Sequence, residues 1–116
     1  MKDLVFTLNS TDIHPNSEIR GTISVSYPGR YDGVVINTQI LDSNEHIFYK
    51  SCNGKSISQN VSRLFINKEV MPKNKAEFTA LIKFEPKQEH EIKFRVSIIE
   101  QHKEIESQII FAKYSI

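Results

Sequence analysis

Ser17-Glu18-Ile19-Arg20-Gly21-Thr22-Ile23-Ser24-Val25-Ser26-Tyr27 places Ile19, Ile23, Val25 and Tyr27 at even spacing, with polar residues between them. A period of two belongs to a strand with one dry face and one wet face. Pro15-Asn16 precedes the stretch and Pro28-Gly29-Arg30 follows it. Both are turn sequences, because proline presets φ while asparagine and glycine tolerate positive φ. The run from Tyr31 to Tyr49 repeats the pattern, and its continuation to the last residue leaves no room for a helix.

Working outward from this stretch, alternation and turn residues together predict strands over 3–9, 17–27, 33–42, 46–51, 56–59, 61–69, 75–85, 91–101 and 104–115. Asn53-Gly54 is the strongest hairpin signal, since both residues accept the backbone of a type I′ turn. Phe78, Ala80, Ile82 and Phe84 alternate with Glu77, Thr79, Leu81 and Lys83, and Ile92, Phe94, Val96 and Ile98 alternate with Lys93, Arg95 and Ser97. Wound as a helix, the latter segment would scatter its apolar residues around the cylinder. About seven to nine such strands predict an all-β, two-layer antiparallel sandwich of the immunoglobulin-like type.

The chain has 116 residues, 39% of them hydrophobic, which suits a single domain over 1–116 with one core between two sheets. Its net charge of +1 predicts no general affinity for nucleic acid. Cys52 stands alone and cannot form an internal disulfide, as expected in a reducing compartment. The N-terminal run Leu4-Val5-Phe6 turns polar by Asn9, short of a signal-peptide core, and no apolar stretch approaches the ~20 residues of a membrane span. A soluble cytoplasmic protein is the expectation.

The order of motifs then resembles a known family. Pro15-Asn16-Ser17-Glu18-Ile19-Arg20-Gly21-Thr22-Ile23-Ser24-Val25 is similar to the strand that opens arrestin-like domains, in which an apolar-x-Gly-x-apolar core follows a proline, a turn residue and an acid. Tyr31 to Leu41 is similar to that family's next strand, and Ile92 to Ile99 with Glu104 to Tyr114 resembles its closing pair. Asn16 and Ser17 stand where the family has a glycine, and one domain stands where arrestins and retromer-type relatives have two. The resemblance implies a scaffold that works through loops and sheet edges, without interdomain switching.

Catalytic and metal chemistry find little support in the residues. Gly54-Lys55-Ser56 would end a phosphate loop only with a glycine where Tyr49 stands and a helix after it. Cys52 has no histidine placed by spacing to activate it, because His14, His46, His90 and His102 lie in separate segments. No pair of ligands has zinc spacing. Asp12, Asp32 and Asp42 are isolated, whereas a calcium-binding sandwich needs several converging carboxylates. Asn9-Ser10-Thr11 and Asn60-Val61-Ser62 match the glycosylation pattern, which a cytoplasmic chain would not use. No cofactor is implied.

One charge feature stands out. Between residues 50 and 75, Lys50, Lys55, Arg63, Lys68, Lys73 and Lys75 oppose only Glu69, a net charge of +5 within a nearly neutral chain. Folded to one side, these residues would attract an acidic segment or an anionic membrane surface; left dispersed, they would be a lysine-rich edge that discourages aggregation. Nucleic acid is disfavoured, since only Tyr49 and Phe65 offer stacking rings nearby. The sequence therefore predicts a non-enzymatic adaptor or scaffold that binds an extended or acidic protein segment at a sheet edge or at the loops 28–33 and 52–56. Self-association through edge strands and calcium-independent membrane docking are the alternatives.

Overall fold

The computed structural model describes residues 3–116. Among these, ten strands run in order as β1 (Leu4–Leu8), β2 (Asp12–Ile13), β3 (Ile19–Val25), β4 (Gly33–Ile40), β5 (Phe48–Cys52), β6 (Lys55–Asn60), β7 (Arg63–Asn67), β8 (Lys75–Leu81), β9 (His90–Glu100) and β10 (Lys103–Tyr114). They form two five-stranded sheets, β1-β3-β8-β5-β6 and β2-β10-β9-β4-β7. The sheets stack face to face as an all-β sandwich. Every ladder is antiparallel except that of the two-residue β2, which runs parallel to β10.

The predicted strands are present, with shifted ends. Asn53 and Gly54 take φ of 50° and 80°, the positive values of a type I′ turn, and close the β5–β6 hairpin. The strand expected to run to residue 69 stops at Asn67. There the Asn67 side chain accepts the Glu69 N–H at 2.8 Å and starts a single 3-10 turn over Lys68–Val70. A second such turn spans Pro72–Asn74, where proline lacks a ladder donor and Lys73 and Asn74 take φ of 55° and 60°. These short turns are the helical structure that the alternation did not reveal. β2 also went unpredicted, being too short to show a period.

The alternating residues of both sheets meet in one core. Phe6 of β1, Phe78 of β8 and Tyr49 of β5 come from the first sheet and Phe94 of β9 from the second. Ring centroids lie 6.3 Å apart for Phe6–Phe78 and Phe6–Phe94, and 5.7 Å apart for Tyr49–Phe78. Gly21 of β3 lies opposite Phe78, and a Cβ at that position would fall inside the Phe78 ring. The glycine of the apolar-x-Gly-x-apolar motif is thus the space that lets an aromatic ring cross the core. Tyr49 also carries its hydroxyl across to the other sheet, where it meets the Thr38 hydroxyl at 2.9 Å. Tyr114 closes the far end, its hydroxyl donating to the Ile82 and Phe84 carbonyls.

Two stability measurements test this packing. Gly21→Ala should lower the unfolding free energy by about 1–3 kcal/mol in urea, since the Phe78 ring must leave its place. Burial raises the Tyr49 pKa above its ordinary 10.0, so the neutral phenol stabilises the fold fully below pH 10 and this contribution is lost as pH rises toward the folded-state value. Urea midpoints should therefore begin to fall as pH rises past about 10, and fall less steeply in Tyr49→Phe.

Candidate interaction site

The two flanks of the sandwich are built differently. On one flank β1 pairs with β3 on its inner side, with Ser26 N–H donating to Asp3 C=O at 2.8 Å and Asn9 N–H to Arg20 C=O at 2.9 Å. Antiparallel alternation then turns the backbone groups of Leu4 and Phe6 outward. Side chains of β10 take them up. Glu106 accepts the Leu4 N–H at 3.0 Å, and Gln108 accepts the Phe6 N–H at 2.9 Å while donating to the Phe6 carbonyl at 3.1 Å. The Gln108 amide thus makes the pair of bonds that a neighbouring strand would make. Glu106 and Gln108 were not singled out in the sequence. Their signal is the polar run Glu106-Ser107-Gln108 ahead of the apolar Ile109-Ile110-Phe111-Ala112, just after the ladder shifts register between Glu104 and Glu106.

The opposite flank carries β6 and β7. β6 is the outer strand of the first sheet and pairs only with β5, and β7 is the outer strand of the second and pairs only with β4. Only Val61 and Ser62 separate them, so both free edges lie on the same side. Thr38 N–H donates to Ser62 C=O at 2.8 Å and Lys68 N–H to Asp32 C=O at 2.9 Å, which assigns the even positions of β7 to the ladder. The backbone groups of Arg63 and Phe65 therefore face away from the sheet. The Phe65 ring stands on the outer face opposite Val35 and is 47% exposed.

The basic residues of the 50–75 segment are divided by the fold. Asn53 joins the β5–β6 turn to the double 3-10 turn: its side chain donates to Val70 C=O and accepts the Glu77 N–H at 2.7 Å. Lys55, Lys68, Lys73 and Lys75 surround this junction at one end of the sandwich. The Lys68 ammonium lies 4.5 Å from the centre of the Tyr31 ring. Lys50 is elsewhere, 3.8 Å from Glu18 on the first sheet, and Arg63 lies opposite Asn37 on β7. Four of the six therefore share one end and two do not.

Other reactive side chains serve the fold. Burial pushes the Cys52 thiol up from its usual value of 9.0, the reverse of what a nucleophile needs. His14 bonds the Ser115 carbonyl and buried His90 bonds the Leu41 carbonyl, at opposite places in the chain. Among the described residues no three His, Cys, Asp or Glu side chains converge as metal ligands. Asn9 and Asn60 use their amides to hold the backbone at Arg20 and His46. On the second sheet, burial opposes charge on Glu104, yet hydrogen bonds from Ser97 and Ser107 and the Arg95 guanidinium overcome it and hold the carboxyl below its ordinary value. Arg95 and Glu104 meet at 2.7 Å.

No protein-family model matches the chain, and no curated protein matches it. Solved structures share its fold at low sequence identity. A conjugative transposon lipoprotein from Bacteroides eggerthii superposes with a TM-score of 0.60 at 8% identity, each chain covered over 100% of its length. AvmM, which catalyses macrocyclisation in alchivemycin A biosynthesis, gives 0.58 at 9%, covering 98% of this chain and 89% of its own. The enterotoxigenic E. coli adhesin CfaE gives 0.56 at 12%, covering 98% of this chain and 49% of the adhesin. These likenesses establish the sandwich. The cytoplasmic placement expected from the sequence is corrected by them: a lipoprotein and an adhesin carry this fold, and a lone cysteine without a disulfide is no guide to compartment.

The β1 closure is open to direct measurement. Gln108→Ala should destabilise the protein by about 1–2 kcal/mol, because two backbone groups of a half-buried strand lose their partner. Hydrogen exchange should quicken at the Phe6 amide and stay unchanged at the Val5 amide, which belongs to the β1–β3 ladder.

Proposed function

We propose that this protein is a non-enzymatic interaction module that takes up an extended protein segment as an added strand on the free edge of β7. The observation that carries the reading is the asymmetry of the flanks. The Leu4 N–H and both backbone groups of Phe6 are bonded by Glu106 and Gln108, while the outward backbone groups of Arg63 and Phe65 have no partner among the described residues. An edge left unpaired in this way is a template for another strand. The added strand supplies the missing main-chain hydrogen bonds, and its alternate side chains lie beside Phe65. Lysines at the neighbouring end favour an acidic continuation of the segment, since Lys55, Lys68, Lys73 and Lys75 gather where β7 ends.

Adhesin and lipoprotein sandwiches with the same architecture support an interaction or assembly role, and the arrestin-like motifs of residues 15–25 and 31–41 fit a scaffold of the same kind. A second copy of the chain is the alternative occupant, because β7 can pair with itself.

Proline at position 65 separates edge use from folding. Its missing N–H is the outward one, so Phe65→Pro should leave the β4–β7 ladder largely intact. Peptides selected from a random displayed library against the wild-type protein should lose at least about tenfold in affinity for this variant. Sedimentation at high concentration should show any self-association vanish with it. A library that yields no binder, with a protein that stays monomeric, would remove the proposal.

A further inference from the structure

The flank of β1 and β2 leaves part of the second sheet's own margin uncovered. β2 pairs with β10 at Lys113 and Tyr114 alone, where Lys113 N–H donates to the Thr11 carbonyl at 2.8 Å and Ser115 N–H to the Ile13 carbonyl at 3.1 Å. The β9–β10 register is unbroken from Glu106 to Tyr114, so the same parity turns the backbone groups of Ser107, Ile109 and Phe111 outward. No strand or side chain bonds them among the described residues. The register shift between Glu104 and Glu106 bounds this gap on one side and β2 bounds it on the other. Its sequence, Ser107-Gln108-Ile109-Ile110-Phe111, holds no charge or proline of the kind that blunts an edge.

The free edges of β10 and β7 fit each other. β10, β9, β4 and β7 alternate in direction, so a copy displaced sideways in the plane of the sheet, and not turned over, brings its β7 antiparallel to this β10. β7 is five residues long, the length of the gap. Odd positions face outward on both strands, and opposing Phe65 with Ile109 sets Arg63 against Phe111 and Asn67 against Ser107. These side chains all stand on the same outer face, since the even positions of β7 point into the core, as do Ile110 and Ala112 of β10. Phe65 and Ile109, 47% and 43% exposed, would cover each other.

A hollow of about 320 Å³ lies where Arg63 would arrive, lined by Thr11, Asp12, Glu91, Phe111, Ala112 and Lys113. The Lys113 ammonium lies 4.0 Å from Glu89, whereas Asp12 and Glu91 have no cation within ion-pair distance among the described residues. Lys93 stands opposite Phe111, so the surroundings set Asp12, Glu89 and Glu91 against Lys93 and Lys113 and keep an excess of acid. Arg63 is the one charge on β7 and has no carboxylate within ion-pair distance among the described residues. A guanidinium stacks on an aromatic ring while its N–H groups bond carboxylates at the rim. We infer that the strand taken up by the β7 edge is β10 of a second copy, with Arg63 seated in this hollow. The inference rests on the free β7 edge of the proposed function. The contact is heterologous, so copies join head to tail and every addition leaves a free β7 at one end and a free β10 at the other. The first sheet does not continue across the joint, because Glu106 and Gln108 already bond the outward groups of β1.

The test is sedimentation velocity on two proline variants, alone and mixed. Ile109→Pro removes an outward N–H of β10 and Phe65→Pro one of β7, and neither removes a ladder bond. Wild type should grow beyond a dimer between about 10 µM and about 1 mM, each variant alone should stay monomeric, and their equimolar mixture should stop at a dimer. In that mixture Arg63→Glu on the Ile109→Pro copy should weaken the dimer at least about fivefold, and Asp12→Lys on the other copy should recover part of the loss. Should a proline unfold the sheet, Arg63→Glu in the wild-type background carries the same reading by a lower apparent mass. Growth of Ile109→Pro alone, a mixture that stays monomeric, or indifference to Arg63→Glu would each overturn the inference. A monomeric wild type whose β7 edge still binds library peptides would overturn it as well, and would leave the proposed function standing.

Discussion

A β-sheet that does not close on itself has two margins, and the peptide groups along each must be bonded by something. This constraint organises the molecule. At the β1 margin the chain solves it internally, by sending Glu106 and Gln108 across from the other sheet. That crossing also ties the first strand to the last, so the two layers are joined by polar bonds at a corner as well as by apolar packing between them. At the β6 and β7 margins no such side chain arrives among the described residues, and the short connection Val61-Ser62 keeps both exposed edges together. The edge proposed to take up a strand is thus one that no side chain of the other sheet seals among the described residues.

An aromatic centre joins the two layers. Phe6, Phe78 and Phe94 fill the gap, and Gly21 permits it by leaving room for the Phe78 ring. Tyr49 adds direction to a non-directional force, because its hydroxyl must find Thr38 on the opposite sheet. A slip of one residue in β5 would point this phenol into water and turn Lys50 toward the core. Packing and polar matching therefore select the same register.

Much of the fold was legible because strands with one wet face write their period directly into the sequence. Ile19, Ile23 and Val25, or Ile92, Phe94, Val96 and Ile98, could be assigned to the core by alternation alone, and all are buried. Asn53-Gly54 announced its turn for a stereochemical reason. What stayed hidden depends on distant partners. Nothing near Gln108 in sequence indicates that its amide will meet Phe6, and nothing near Lys68 indicates that it will lie over Tyr31 while Lys50 reaches Glu18. Charge along the chain leaves open whether the basic segment gathers into one patch, because the turns at 68–74 and the crossing at 61–62 decide where each of its residues goes.

The Asn53 side chain carries a chemical liability as well as a structural duty. Asparagine followed by glycine is the pair most prone to spontaneous loss of ammonia through a cyclic imide. Here the amide nitrogen that would depart is engaged with the Val70 carbonyl, and the oxygen is engaged with the Glu77 N–H. Conversion to aspartate would set a negative oxygen against that carbonyl and unfasten the hairpin tip from the double turn. The lysine-bearing end of the molecule thus contains its own clock of chemical ageing, slowed for as long as those two bonds keep the side chain in place.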